Sequence, residues 1–195
     1  MDSELRRIEL EWARIKYQAT DADEQEKQMR SLADEAAGIV TRYPGHAEPL
    51  IWDGVVTSSE AGFAGAFSAL GLAEQAREMF EKAGRLDYRA LDGAVPTSLS
   101  ALYYTAPGFP LSFGDNDRAR HYLEQAIEIS PTGLDSNFFY GDFLLREGEY
   151  GKAAVALKRA LNAPGHPERP VWDAGRRAEI RTLLAKVEEK LASGR

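Results

Sequence analysis

Apolar residues recur at every third or fourth position along most of this chain, and charged residues fill the positions between them. Over Glu4–Ala19, the spacing of Leu5, Ile8 and Trp12 predicts an amphipathic helix, because residues three and four apart share one face of a helix. A second stripe follows and ends at Tyr43-Pro44-Gly45, which stops a helix. The helical spacing predominates, and no segment credibly predicts a strand, so the sequence predicts an all-α fold.

The stretch from Pro49 to Leu70 is apolar but interrupted by glycines. It predicts one long or broken helix with a kink near Gly62, because glycine weakens a helix interior by about 1 kcal/mol relative to alanine. Gly71 is then the expected turn. The partner helix is predicted over Ala73–Leu86.

Residues Thr105 to Gly114, TAPGFPLSFG, form a longer connection than a helical pair needs, and they contain Phe109 and Phe113. Prolines stiffen this loop, so it is expected to fold back over the neighbouring helices. It would either fill a gap between them or wall off one end of a groove. The acidic Asp115 after the loop is predicted to cap the next helix, since the glycine and closing glutamate of a calcium loop are missing.

The segment Leu134–Pro164 predicts a helix, a turn at Gly148 and a second helix. Small residues at Gly141, Ala153 and Ala160 occupy positions where the two helices would approach closely. This pattern resembles the tetratricopeptide repeat (TPR), a unit of roughly 34 residues with small residues at its eighth, twentieth and twenty-seventh positions. Asn137 departs from the large aromatic residue usual at the fourth position.

The TPR resemblance implies a right-handed α-solenoid of about four helical pairs with a C-terminal capping helix. The whole chain, residues 1–195, is expected to form one domain. Its predicted units are residues 4–44, 47–88, 91–131 and 134–164, and the predicted cap is 171–192.

Composition narrows the possible functions of the 195 residues. A net charge of −7, from 31 acidic and 24 basic residues, argues against a general nucleic-acid-binding surface. The absence of cysteine excludes disulfides, thiolate metal sites and a cysteine nucleophile. No apolar run is long enough to insert into a membrane. The chain as given is expected to be cytoplasmic, or periplasmic if a signal peptide has been removed.

Signatures of catalysis are missing from the sequence, which favours a non-enzymatic protein without metal or cofactor. The three histidines lie far apart along the chain and are interpreted as surface residues. Glu60 lies among small and apolar residues and would need a partner if buried. Arg176 or Arg177 is the expected partner, although a catalytic carboxylate is the alternative.

In TPR proteins, particular positions of the first helix of each unit line a concave groove that binds partner peptides. The resemblance therefore places candidate partner contacts at Asp135, Phe138, Asp142 and Arg146, with Tyr104 from the preceding unit. Phe138 and Tyr104 have an alternative role in packing against the next helix. Phe109 is added from the Thr105–Gly114 loop.

The favoured hypothesis is a scaffold that binds another protein or peptide, or further copies of itself, through this groove. The alternative is a periplasmic accessory protein that binds a small ligand. That alternative follows from a resemblance of the long helix, the large repeats and the PGFP loop to the TPR-like T component of TRAP transporters.

Overall fold

A computed structural model describes residues 1–194 of the chain, and the described backbone folds into nine helices. Short connections join them. The helices are α1 (Asp2–Gln18), α2 (Ala22–Arg42), α3 (Ala47–Glu60), α4 (Ala66–Leu86), α5 (Ala90–Thr105), α6 (Asn116–Ile129), α7 (Leu134–Arg146), α8 (Tyr150–Leu161) and α9 (Pro170–Ser193).

The predicted all-α fold is confirmed, and side-chain caps fix two of the helix starts. The Asp21 carboxylate accepts a hydrogen bond from the Glu24 backbone N–H at 2.8 Å, and Asp115 accepts one from Arg118 at 3.0 Å. Each cap satisfies a backbone donor that has no partner within the helix. The interpretation of Asp115 as a cap is therefore confirmed.

The boundary between α3 and α4 differs from the prediction. Helix α3 ends at Glu60, and α4 begins at Ala66, so the turn lies around Gly62 and not at Gly71. Gly71 is inside α4, where an added Cβ would meet no atom within 4 Å. The interruption predicted near Gly62 is present and forms the turn between the two helices, whereas the prediction of a turn at Gly71 is wrong.

Close packing between helices depends on glycine at two positions. A Cβ on Gly141 of α7 would lie 2.6 Å from the Leu157 side chain of α8, and one on Gly54 of α3 would lie 2.7 Å from Phe80 of α4. Real carbon atoms pack at about 3.5–4.0 Å, so neither site admits a side chain without movement. The close approach predicted at Gly141 is confirmed.

A sharp bend in α5 sets the direction of its inner surface. Leu91, Asp92 and Gly93 all have positive φ, which is uncommon for residues other than glycine. The regular part of the helix follows, with Pro96 in its opening turn, where the missing N–H costs little. This bend brings Leu91 and Asp92 to the inner side of the solenoid.

Asn137, the departure from the repeat pattern, fastens α7 to the turn before it. The side chain is fully buried, and its Nδ2 donates to the carbonyl oxygens of Pro131 at 3.0 Å and Gly133 at 2.8 Å. A large aromatic residue could not make these bonds. The polar residue therefore stabilises the α6–α7 connection instead of packing between helices.

The two ends of the chain share one hydrophobic core. Leu5 and Trp12 of α1 belong to the same buried cluster as Leu157 of α8 and Ile180 of α9. Helix α9 packs against α8, as a cap would, and also against α1. The solenoid is consequently closed on itself, with α1 meeting α9.

The loop between α5 and α6 folds back only in part. Phe113 packs edge-on against Tyr103, with ring centroids 5.4 Å apart, and the Arg77 guanidinium lies 4.6 Å from the Phe113 ring. Phe109, however, is 92% exposed, and Leu111 is 75% exposed. The expectation that both aromatic residues cover the solenoid is wrong for Phe109, because the Phe113 contacts hold one end of the loop and leave its tip in solvent.

Glu60 pairs with a different arginine from the one expected. Its Oε1 accepts a hydrogen bond from Arg30 Nε of α2 at 3.3 Å. The prediction of Arg176 or Arg177 is wrong because Glu60 ends α3 beside α2, whereas both arginines lie on α9. Within residues 1–194, none of the helices has the length and apolar character needed to cross a bilayer.

Candidate functional site

The concave side of the solenoid encloses a cavity of about 700 Å³, called here the central cavity. Its lining comes mainly from the odd-numbered helices α1, α3, α5, α7 and α9. All three tryptophans of the chain, Trp12, Trp52 and Trp172, are among the lining residues. The even-numbered helices lie outside this ring and cover its outer surface.

A contact between α1 and α9, called the seam, closes one side of the cavity. Both oxygens of the Glu9 carboxylate are used, since Arg6 Nη1 and Arg169 Nη1 each donate to it at 2.7 Å. The Arg169 guanidinium also lies 3.9 Å from the ring centroid of Trp172. Such a two-armed, partly buried pair holds the helices more firmly than an isolated surface salt bridge.

The other half of the seam depends on Gly175 of α9. A Cβ at this position would lie 2.4 Å from ring atoms of Tyr17, so the α1 side chain rests directly on the α9 backbone. The Tyr17 hydroxyl donates to Glu179 Oε2 at 3.1 Å. Shape and hydrogen bonding therefore both favour a closed seam.

Four charged side chains meet at the end of the cavity near the C-terminus of α1. This group, called here the charged cluster, consists of Lys16, Asp135, Arg176 and Glu179. Arg176 is 4% exposed and lies 2.7 Å from Asp135 and 2.6 Å from Glu179, while Lys16 Nζ is 3.4 Å from Glu179. Burial lowers the pKa of Lys16 to about 8, and the Arg176 cation acts in the same direction. The cluster thus holds a lysine whose positive charge is only partly balanced by the neighbouring carboxylates.

A second depression, the open groove, lies on the other side of the charged cluster. It has a volume of about 560 Å³ and is lined by α1, α7 and α9. Phe138 and Asp142 come from α7, and Ala178 and Thr182 come from α9. Lys16 lines both spaces, so the charged cluster divides the concave side into an enclosed part and an open part.

Beside the open groove, three of the predicted contact residues form one network. The Tyr104 hydroxyl donates to Asp142 Oδ2 at 2.9 Å, and Arg146 Nε donates to the same oxygen at 3.2 Å. Burial raises the pKa of Tyr104 well above its usual value, and the Asp142 charge adds to the shift. Tyr104 therefore remains protonated and serves as a donor that orients Asp142.

The other predicted contacts have different surroundings. Asp135 lines the central cavity, whereas Phe138 is 8% exposed and lies beneath Arg176, whose guanidinium is 4.3 Å from its ring. Phe109 is isolated at the loop tip and lines neither space. The structure thus brings together Tyr104, Asp142 and Arg146 and joins Asp135 to Phe138 through Arg176.

The contribution of the terminal helices to this site does not follow from the sequence. Lys16 and Trp12 of α1, Arg169 at the N-cap of α9, and Trp172 and Arg176 of α9 all line the central cavity. They were interpreted as parts of a terminal repeat and a cap. The occurrence of tryptophan on three separate helices was the one available signal, and it does not specify a common site without the fold.

Comparison with known proteins finds a family resemblance in the second half of the chain. Residues 111–187 match a model of the family described as tetratricopeptide repeat. This region is therefore similar to tetratricopeptide repeats. The resemblance predicted from Gly141, Ala153 and Ala160 is confirmed, and the TPR region supplies α7, most of α9 and hence much of the candidate site.

A solved TPR structure extends the likeness of fold to most of the chain. The crystal structure of a thermophilic TPR protein from Thermus thermophilus superposes with a TM-score of 0.60 at 17% sequence identity, covering 83% of this chain and 78% of that one. This match supports the α-solenoid and carries no information about the ligand. A search of curated proteins found no match.

The TPR fold supports a role in protein interaction, since solenoids of this kind present extended concave surfaces. Within the described residues 1–194, there is no group of three His, Asp or Glu side chains placed to hold a metal ion. The concave side presents aromatic surface, hydroxyl groups and paired charges.

Proposed function

We propose that this chain is a non-enzymatic interaction protein that binds a polypeptide segment of a partner in the open groove. The observation that supports it best is the composition of this groove. It combines an apolar floor at Phe138 with the Asp142 carboxylate, and it is open to solvent between α1, α7 and α9. An extended chain can lie there without opening the seam.

Orientation of Asp142 supports the recognition of backbone or side-chain donors. Tyr104 and Arg146 share Oδ2, so the other oxygen of Asp142 keeps its full capacity to accept a hydrogen bond from a partner N–H. Arg146 is 53% exposed in its side chain and can pair with an acidic partner residue. Such anchored polar groups beside an apolar floor are typical of protein recognition sites.

Photocrosslinking tests this proposal directly. A photoreactive residue at Thr182, in the groove, should crosslink a polypeptide in an extract of the source cells, whereas the same residue at the exposed Ala185 should not. Ala178→Arg should remove the Thr182 crosslink by filling the groove. Ala185→Arg adds the same charge to the same helix outside the groove and should preserve it.

A crosslink of equal strength from Thr182 and Ala185, or one that survives Ala178→Arg, would contradict recognition in the groove. Self-association is an outcome of the same experiment, because a crosslink between two copies of the chain would identify the partner as the protein itself. A crosslink to another polypeptide and a crosslink to a second copy of the chain both distinguish binding in the open groove from binding on the outer surface.

The closed seam favours a second candidate function, the binding of a small ligand by an accessory protein like the T component of TRAP transporters. An enclosed space of about 700 Å³ has the size of small-molecule sites. Mass spectrometry of material released when the natively purified protein is denatured tests this candidate. Recovery of a stoichiometric small molecule would support it, and recovery of none would count against it.

A further inference from the structure

We infer that the central cavity binds a small organic acid with an apolar body, and that the acid group lies against Lys16. This site is separate from the open groove, and the inference rests on the small-ligand function given above as the second candidate, for which it names the class of ligand. It rests on the size of the cavity, its aromatic walls and the incomplete pairing of Lys16.

The closed seam limits entry to the cavity from one side. The Glu9 carboxylate is held from both helices of the seam, and the Tyr17 ring rests on Gly175. An extended polypeptide entering the cavity through the seam would have to separate α1 from α9. A molecule that fits within about 700 Å³ avoids that cost.

The walls favour an apolar body, in part an aromatic one. Trp12 and Trp52 pack edge to face with centroids 6.0 Å apart, and Phe139 lines the same space. Trp12 Nε1 already donates to Ser59 Oγ at 2.9 Å. Because that donor is occupied, the Trp12 ring offers a ligand apolar surface, and edge-to-face contacts with an aromatic body add to its burial.

The charged cluster leaves donors available at the inner end of the cavity. Lys16 has Glu179 as its acidic contact, at 3.4 Å, and Glu179 is also bonded to Arg176 and Tyr17. Arg176 is paired with Asp135 at 2.7 Å and with Glu179 at 2.6 Å, so both carboxylates of the cluster are already engaged and Lys16 shares only one of them. The Lys16 ammonium, which carries three N–H donors, therefore has donors left for an anion in the cavity that it lines.

The pKa of Lys16 agrees with this assignment. Burial and the Arg176 cation lower it to about 8, although Glu179 and Asp135 act in the opposite direction. A bound anion would favour the protonated lysine and raise its pKa. Binding of an acid should therefore take up a proton near pH 8 and weaken as the pH rises further.

Carboxylates lie at the other end of the cavity. They would favour a cationic ligand over an acid, and this alternative can be tested. Asp2 and Lys16 lie on one helix and are separated by about 21 Å at 1.5 Å per residue. Glu48 and Asp92 line the same space and begin α3 and α5. If these acids governed binding, the cavity would prefer an amine.

A matched set of probes distinguishes the two preferences. Phenylbutyrate, phenylbutanol and phenylbutylamine share one apolar body and differ in their terminal group. Tryptophan emission reports binding specifically, because all three tryptophans line the cavity. We expect phenylbutyrate to bind at least about tenfold more tightly than the alcohol or the amine at neutral pH.

Two variants assign the acid preference to its residues. Lys16→Met should reduce phenylbutyrate affinity about tenfold and leave phenylbutanol affinity nearly unchanged, whereas Lys158→Met, at a lysine 60% exposed on α8, should change neither. Ala101→Phe should exclude all three probes by filling the cavity, and Ala174→Phe, on the exposed face of α9, should exclude none. Far-UV circular dichroism checks that each variant is folded.

The inference is overturned if no probe binds, if the amine or the alcohol binds most tightly, or if the acid preference survives Lys16→Met. Binding that persists in folded Ala101→Phe overturns it as well, because the site must then lie elsewhere. None of these outcomes affects the crosslinking test at Thr182, so the cavity and the open groove succeed or fail independently.

Discussion

Replacing Gly175 with alanine tests whether the seam between α1 and α9 forms as described. The new Cβ would lie 2.4 Å from Tyr17 ring carbons, more than 1 Å inside the normal packing distance of about 3.5–4.0 Å. The ring cannot swing away freely, because it packs edge-on against Trp12 at 6.2 Å and its hydroxyl is bonded to Glu179. Overpacking of this kind costs about 1–3 kcal/mol.

Alanine at position 175 also has a stabilising effect, which must be included in the expected change in the free energy of unfolding. Glycine in a helix interior is less favourable than alanine by about 0.5–1 kcal/mol. The net effect of Gly175→Ala should therefore be a loss of about 1 kcal/mol in the free energy of unfolding. Gly71→Ala is the matched control: Gly71 is inside α4, where a Cβ meets nothing within 4 Å, so the substitution should stabilise by about 0.5–1 kcal/mol.

Urea unfolding followed by circular dichroism and tryptophan emission gives both free energies. The decisive comparison is a double-mutant cycle with Tyr17→Ala, which removes the ring. The penalty of Gly175→Ala should vanish in that background, leaving only the helix-propensity gain. Equal effects of Gly175→Ala and Gly71→Ala, or a penalty that persists without Tyr17, would refute the close approach of α1 and α9.

Three further predictions concern single residues. Asp115→Ala should lower stability by about 1 kcal/mol in thermal unfolding, because it removes the cap on the Arg118 N–H, and Asp117→Ala, which leaves the cap intact, should cost less. Asn137→Ala should cost about 1–3 kcal/mol in urea unfolding, since it removes the bonds to the Pro131 and Gly133 carbonyls; an unchanged midpoint would contradict their role. Burial raises the pKa of Asp53 from 3.8 to about 6, so the folded state holds its proton more tightly than the unfolded state does. The resulting loss of stability develops as the pH rises from 3.8 to about 6 and persists above it, so Asp53→Asn should be more stable than the wild type at neutral pH and not near pH 4, measured as urea midpoints.

Local patterns were sufficient to predict most of the helices. Apolar spacing and capping residues such as Asp115 are properties of a few neighbouring residues, and they act in the same way wherever the segment lies. The turn between α3 and α4 was misplaced because Gly62, Gly65 and Gly71 satisfy the same local requirement. Packing against neighbouring helices, which the local sequence does not contain, selects among them.

The sequence was also sufficient to predict which candidate partner contacts lie on one helix or on neighbouring repeat units. Asp142 and Arg146 are four residues apart on α7, so helical geometry alone places them side by side. Tyr104 joins them because the repeat register relates α5 to α7. The exposure of Phe109 was not accessible, because it depends on which end of the loop finds a packing partner.

By itself, the sequence determined the helical class, the repeat character of its second half and the placing of Asp142 beside Arg146 on one helix, because each of these follows from short-range spacing. Only the tertiary structure decided that the solenoid closes, that Lys16 meets Arg176 and that three tryptophans surround one cavity. These contacts join residues about 160 positions apart, as Arg169 and Glu9 do. They depend on how far the solenoid turns in total, which is the rotation between neighbouring helical pairs added up along the chain. No local sequence pattern encodes that total rotation.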